Sequence, residues 1–269
     1  MPPLDRSAEE RLRSYGDASR TLAAIEGRRI LDHLLALEAI PSPTGYTDSI
    51  VRHLCGWLDE RGIDYELTRR GAIRANLSGE VESPDRAVVG HLDTLGAQVT
   101  QLKANGRLAI RPVGTWAARF AEGARVTVFT EAGPRRGTIL PLKSSGHVFD
   151  QEIETQPAHW DNLEIRVDDR VSSHDDLVAR AFHIGDMVAV DPQPEVTDTG
   201  FVNARHLDDK AGVAAMMEVL SALTETDAKL PMDCHFLFTI SEETGSGASA
   251  VLHGDVAELL AVDNATVAP

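Results

Sequence analysis

The sequence is poor in positive charge, cysteine and aromatic side chains, and each shortage removes a class of function. Lysine and arginine number 26 against 42 aspartates and glutamates, a formal net charge of −16, and the acids are scattered rather than gathered in one tail. Such a surface repels phosphate backbones, which argues against a nucleic-acid partner. The two cysteines, Cys55 and Cys234, lie far apart in apolar contexts and read as small buried side chains, not as a disulfide or a ligand pair. No apolar run approaches the roughly eighteen residues that a membrane span needs. The opening MPPLDRSAEERLRSYGDASR is charged from the start and lacks the apolar centre of a secretory signal. The expectation is a soluble, cytoplasmic protein without a membrane partner.

What is present suffices for a large core. The chain has 269 residues, 42% of them apolar. Ile30, Leu31, Leu34, Leu35 and Leu37 recur at helical spacing, and PSPTG at 41–45 stops that helix. A second helix is expected over about 47–61. YELTRR and AIRANL follow as short alternating runs separated by Gly71, and RAVVGHLD carries a buried strand at Ala87 to Val89. Helices before and between strands indicate an α/β layer.

The texture changes after Asp93. Alternating runs around Asn105-Gly106 mark a hairpin, and ARVTVFTEAGPRRGTILPL repeats the scheme around a Gly-Pro turn. Short strands continue to GDMVAVDP, after which LDDKAGVAAMMEVLSAL is helical, with Val213, Met216, Leu220 and Leu223 on one face. The strand CHFLFTI and a helix near 248–260 complete the reading. A β-rich module (96–195) is therefore expected as an insertion in an α/β lobe made of 1–95 and 196–269.

The polar residues that end the core strands of this lobe carry the chemistry. AVVG runs into His91 and Asp93, CHFLFTI into Glu242 and Glu243, and LLAV into Asp263, while Asp208 opens a helix that feeds the next strand. In open α/β sheets the ligand crevice lies at the carboxyl ends of the strands, so residues far apart in sequence can meet there. Taken singly, each has a plainer role: Asp208 as a helix cap, His91 as a satisfied core histidine, Asp263 as a turn former, Glu242-Glu243 as a solvated turn. Gathered at one edge, one imidazole and several carboxylates would repel one another without a cation between them. The mixture of imidazole and carboxylate suits zinc, cobalt or manganese better than magnesium or calcium, and five donors exceed one tetrahedral site. A pair of divalent metals would use them and would serve hydrolysis.

The motifs GHLDTLG, ARHLDDKAG, SEETGSGASA and AVDNATVAP, in that order after a helix ending in IPSPTGYTD, resemble those of the glutamyl aminopeptidase and tetrahedral aminopeptidase family of dinuclear metallopeptidases. The resemblance covers nearly the whole chain. It implies that His91 and Asp263 bind one of two divalent ions, zinc or cobalt, that Glu243 binds the other, and that Asp208 bridges them. It implies Glu242 as the base that takes a proton from the activated water and passes it to the departing amine, and Asp93 as the residue behind His91 that fixes its tautomer. Asp209 is expected to support the helix N-terminus. The resemblance further implies an α/β fold with a central mixed sheet and flanking helices, and an inserted β-barrel-like domain that forms dimers, which in the family build dodecameric tetrahedral particles.

RHLDDKAGVAAMME and ASAVLHGDVAELLAVDNATVAP are most similar to a bacterial branch linked to the N-acetylglutaminylglutamine amide osmoprotectant system, which implies a short peptide or a peptide-like osmolyte as substrate. Members of the family continue past the counterpart of VDNATVAP through further strands to a last histidine ligand, whereas this sequence stops at Pro269. On that basis a weakened second metal position, impaired activity and an open sheet edge are expected, and His253 does not take the missing histidine's place. The alternatives are a dinuclear amidohydrolase or deacylase acting on small amides, and an inert assembly that dimerises through the insertion. A glycosidase has no use for His91 or Asp208, and aromatic residues make up only 5% of the chain.

Overall fold

The computed structural model describes residues 16–252 and 254–265; His253, most of the charged opening segment and the closing TVAP lie outside the described residues. Helices α1 (Gly16–Ala24), α2 (Gly27–Glu38) and α3 (Asp48–Asp59) come first. The helical spacing of their apolar residues is used as the sequence suggests: Leu34 and Leu37 of α2 and Ile50, Leu54, Trp57 and Leu58 of α3 are buried on one stripe each. Between these two helices the chain turns through Pro41 to Gly45, where Gly45 takes a positive φ.

The strands β1 (Tyr65–Leu67), β2 (Ile73–Leu77) and β3 (Asp85–His91) precede a long barrel segment. Helix α4 (Leu207–Glu225) and strands β12 (Cys234–Thr239) and β13 (Val256–Ala261) follow it. These five strands form one mixed sheet in the order β1-β2-β12-β3-β13. β12 and β13 both run parallel to β3, with Thr239 opposite His91 and Ala261 opposite Val89. Three neighbouring strands therefore end at the same edge. One face of the sheet packs through Ile73, Ala75, Phe236 and Phe238 against α2, α3 and the Val213, Met216, Met217 and Leu220 stripe of α4. The other face, with Ala87, Val89 and Leu237, packs on Val251.

The segment between β3 and α4 folds as a closed six-stranded barrel. Its strands are β4 (Gly96–Leu102), β5 (Arg107–Val113), β6 (Arg125–Thr130), β7 (Gly133–Pro141), β8 (Leu163–Val167) and β9 (Met187–Val190), in the order β4-β5-β8-β7-β6-β9. Val99, Leu108, Ile110, Val126, Val128, Ile139, Ile165 and Val188 alternate inward and fill it. A short ribbon, β10 (Glu195–Val196) with β11 (Val202–Asn203), leads back towards α4.

Two local expectations change. The second barrel hairpin turns at Glu131-Ala132, because Thr130 pairs with Gly133, so the Gly-Pro dipeptide begins β7 instead of forming the turn. The stretch expected as a helix over 248–260 has a single 3-10 turn at Ala248–Ala250 and then strand β13. The apolar run VAELLA gains a parallel partner in β3, and that pairing outweighs its helical propensity. β13 is an edge strand, on which Leu259 and Leu260 are half exposed. No described helix is long and apolar enough to cross a membrane.

Candidate metal centre

The shared edge of β12, β3 and β13 gathers the polar residues that end those strands. His91, the last residue of β3, is 2% exposed. Its backbone N–H donates to Asp209 Oδ2 at 3.2 Å, and its ring is fixed at Nδ1, which lies 2.8 Å from the backbone carbonyl of Asp93 and 3.5 Å from Asp93 Oδ1. A carbonyl oxygen only accepts, so Nδ1 carries a proton and the Nε2 atom is the one left to face the site. Asp93 thus holds His91 chiefly through its main chain.

Nε2 lies 3.0 Å from Asp208 Oδ1 and 3.8 Å from Glu242 Oε2. An imidazole lone pair and a carboxylate lone pair at that separation require a proton or a metal cation between them. The electrostatics agree: burial disfavours charge on the ring, yet the bonds to Asp208 and Asp93 outweigh it and push the His91 pKa up to about 11. Asp208 is correspondingly held below the usual carboxylate range, first by its bond to His91.

Asp208 and Asp209 stand at the entry to α4 with non-helical backbone angles, joined by a cis peptide. They point apart. Asp208 reaches the site and is about two-fifths exposed, whereas Asp209 is buried beneath β3, where its carboxylate would collide with any side chain at position 90. Gly90 is the residue that lets α4 approach so closely. Burial raises the Asp209 carboxyl to about 7. Its role is therefore to hold the end of β3 through the His91 N–H rather than to cap the helix alone.

Glu242 and Glu243 form a single 3-10 turn after β12, ended by Gly245 at a positive φ. Asp93, fully buried, anchors that turn: Oδ1 accepts the Glu242 N–H at 3.1 Å and Oδ2 the Glu243 N–H at 3.4 Å. The two side chains then diverge. The Glu242 carboxylate is 46% exposed at the mouth of the site, whereas Oε1 of Glu243 is buried with no hydrogen-bond partner among the described residues. Burial followed by the charge of Asp208 pushes Glu243 up to about 7. Glu242 is raised as well, by burial first, with Asp263, Asp93 and Asp208 adding to the effect and His91 opposing it.

Asp263 lies just past β13, where its own Oδ1 accepts the Asn264 N–H at 2.7 Å. Ligand atoms of His91, Glu242 and Asp263 all lie within 4.8 Å of one another. The donor set fits a divalent cation. It has one imidazole whose Nε2 is turned to the site by the Nδ1 contact, several carboxylates whose mutual repulsion a cation would relieve, and one buried carboxylate oxygen without a partner among the described residues. By distance Glu242 stands with His91 and Asp263, and Asp208 shares the same Nε2 atom and lies beside Asp263.

Two further neighbours of the site are not legible from residue spacing. Thr44 donates its hydroxyl to Asp93 Oδ2 at 2.6 Å, and Lys210, 1% exposed, donates to the carbonyls of Leu37 and Ile40 at 3.0 and 2.8 Å. The PSPTG motif was the available signal for the first, but its helix-stopping residues explain it equally well.

Residues 71–269 match the family model of the M42 glutamyl aminopeptidases. The putative aminopeptidase YhfE of Bacillus subtilis (strain 168) is 35% identical over 237 residues, which cover 88% of this chain and 68% of that protein. The TET aminopeptidase of the marine sediment archaeon Thaumarchaeota archaeon SCGC AB-539-E09 superposes with a TM-score of 0.78 at 20% identity, over 87% of this chain and 65% of that one. The Pyrococcus horikoshii TET1 peptidase, which can assemble into a tetrahedron or a large octahedral shell, gives a TM-score of 0.75 at 25% identity over 87% and 68%. The chain thus spans about two thirds of the length of each.

Proposed function

Because the chain belongs to the M42 glutamyl aminopeptidase family, we propose that the protein is a metal-dependent aminopeptidase that removes the first residue of short peptides or peptide-like osmolytes. His91, Asp208, Glu243 and Asp263 would hold two divalent ions, zinc or cobalt. The observation that carries this reading is the contact of His91 Nε2 with Asp208 Oδ1 at 3.0 Å, beside Glu242 and Asp263, at the end of three parallel strands.

Divalent ions bound there would supply Lewis acidity, lowering the proton affinity of water and polarising the scissile carbonyl. The side chains supply the rest. Glu242 stands at the mouth of the site with a raised proton affinity, which suits a base that takes a proton from the attacking water and gives it to the departing amine. Asp93 keeps the Glu242-Glu243 turn and the His91 ring in one frame, so base and ligands move together. Glu243, more deeply set than its neighbour, suits the ligand role.

The catalytic lobe is assigned to 1–95 and 196–269, and the barrel module, 96–195, to dimerisation. The likeness to TET peptidases supports assembly into homo-oligomers, for which a dodecamer is the expected size.

Hydrolysis of aminoacyl anilides by the full-length protein tests this reading. Activity should vanish with a chelator, return with zinc or cobalt, and fail on N-acetylated substrates. Preference for the acylated compounds would instead make the protein a metal-dependent deacylase. Activity indifferent to chelation would remove the metal from the account.

A further inference from the structure

We infer that Thr44 is a positioning residue of this site, acting through Asp93; the inference rests on the reading of Glu242 as base and of His91 and Glu243 as metal ligands. Asp93 touches all three of those residues at once. Its carbonyl holds the His91 ring, and its two carboxylate oxygens hold the backbone N–H groups of Glu242 and Glu243. The Glu243 bond to Oδ2 is long, at 3.4 Å, and the contact that fixes that oxygen is the Thr44 hydroxyl at 2.6 Å. A hydroxyl donating to a carboxylate is among the stronger neutral-to-charged hydrogen bonds. Without it, Oδ2 would keep only the weak amide contact and the carboxylate plane could tilt, taking the 242–243 turn with it.

The segment that delivers Thr44 is fastened on every side. Ser42 Oγ donates to the Leu92 carbonyl at 2.8 Å, the Thr94 N–H to the Ser42 carbonyl at 2.9 Å, and the Thr44 N–H to the Thr94 carbonyl at 3.2 Å. Pro43 lies against Gly96, where any Cβ would meet the proline ring at 2.6 Å. Beyond it, Tyr46 stacks on Phe129 of the barrel with ring centroids 4.1 Å apart. PSPTG therefore does more than stop a helix: it zips onto the Leu92-to-Thr94 stretch and sets one hydroxyl against the residue on which the site is framed. Displacements near 1 Å in such frames cost about a hundredfold in rate.

The test compares Thr44→Val, Thr44→Ala and Thr44→Ser in the full-length protein by cobalt titration, followed through the visible absorption of the bound ion, and by kcat and KM at saturating cobalt. Val and Ala are expected to weaken cobalt binding about tenfold and to lower kcat about 10- to 100-fold, with KM within about twofold. Ser, which keeps the hydroxyl, should lie within about threefold of the wild type in both readouts. If the valine variant fails to fold, the alanine and serine pair, which differ by the hydroxyl alone, decides the question. Alanine equal to serine in affinity and kcat would overturn the inference. Failure of the wild type itself to bind cobalt, or to show metal-dependent hydrolysis, would overturn the underlying reading and is seen before any variant is compared.

Discussion

His91 and Asp208, 117 residues apart in the chain, face each other with Nε2 3.0 Å from Oδ1, and Nε2 is the nitrogen that the Asp93 carbonyl leaves to the site. Two acceptors in that position are stable only around a shared cation, whether proton or metal. The rest of the account follows from this pair, because the strands that bring Glu242 and Asp263 alongside fix its surroundings.

Replacing one member should therefore act on metal before it acts on the fold. Asp208→Asn keeps the shape but loses the charge, and zinc affinity measured by calorimetry is expected to fall at least about tenfold, with activity lower by about a hundredfold or more. Circular dichroism should be unchanged. Zinc binding equal to that of the wild type would remove Asp208 from the metal site.

Glu242 and Glu243 should separate in the same assays. Glu242→Gln is expected to keep metal binding and to lose about 10²- to 10⁴-fold in kcat, as for a general base. Glu243→Gln should first lower metal affinity. Because Glu242 Oε2 is the carboxylate oxygen of the pair seen close to His91, the opposite pattern would exchange the two roles.

Lys210 and Glu38 line one small cavity, near enough for their charges to act on each other, although neither Glu38 carboxylate oxygen has a hydrogen-bond partner among the described residues. Both are at most 2% exposed, burial lowers the lysine and raises the glutamate while each charge opposes the other's shift, and the ammonium closes the end of α2 at Leu37 and Ile40. Lys210→Met leaves the buried Leu37 and Ile40 carbonyls without their donor and removes the nearby positive charge, and should cost about 1–3 kcal/mol in chemical denaturation. Adding Glu38→Gln should recover part of that loss, which a double-mutant cycle measures.

Stability should also depend on pH through His206. Its Nε2 donates to the Val190 carbonyl at 3.0 Å, and burial lowers its pKa to about 4. Between pH 4 and 6.5 the unfolded chain binds the proton that the folded one refuses, so unfolding free energy rises with pH across that window and is lost on acidification. The contribution is on the order of 3 kcal/mol. In His206→Gln, which keeps a donor for Val190, thermal unfolding should be flatter over this window than in the wild type.

The sequence exposed the site more fully than it did the frame around it. A buried apolar strand running straight into His91 and Asp93, or into Glu242 and Glu243, is legible because strand burial and strand end can be read from adjacent residues. The strand before Asp263 was half hidden, since VAELLA has the composition of a helix and becomes a strand only by pairing with β3, a partner about 170 residues away. Thr44 and Asp209 were hidden for a related reason. Each acts through one hydrogen bond to a residue distant in sequence, and a threonine in a turn or an aspartate at a helix start already has a local explanation.

The most direct test is anomalous diffraction from crystals of the protein grown with zinc or cobalt. Two peaks about 3.5–4 Å apart are expected, bounded by His91, Asp208, Glu243 and Asp263. Metal bound at another place on the molecule, with these four side chains holding none, would contradict the account.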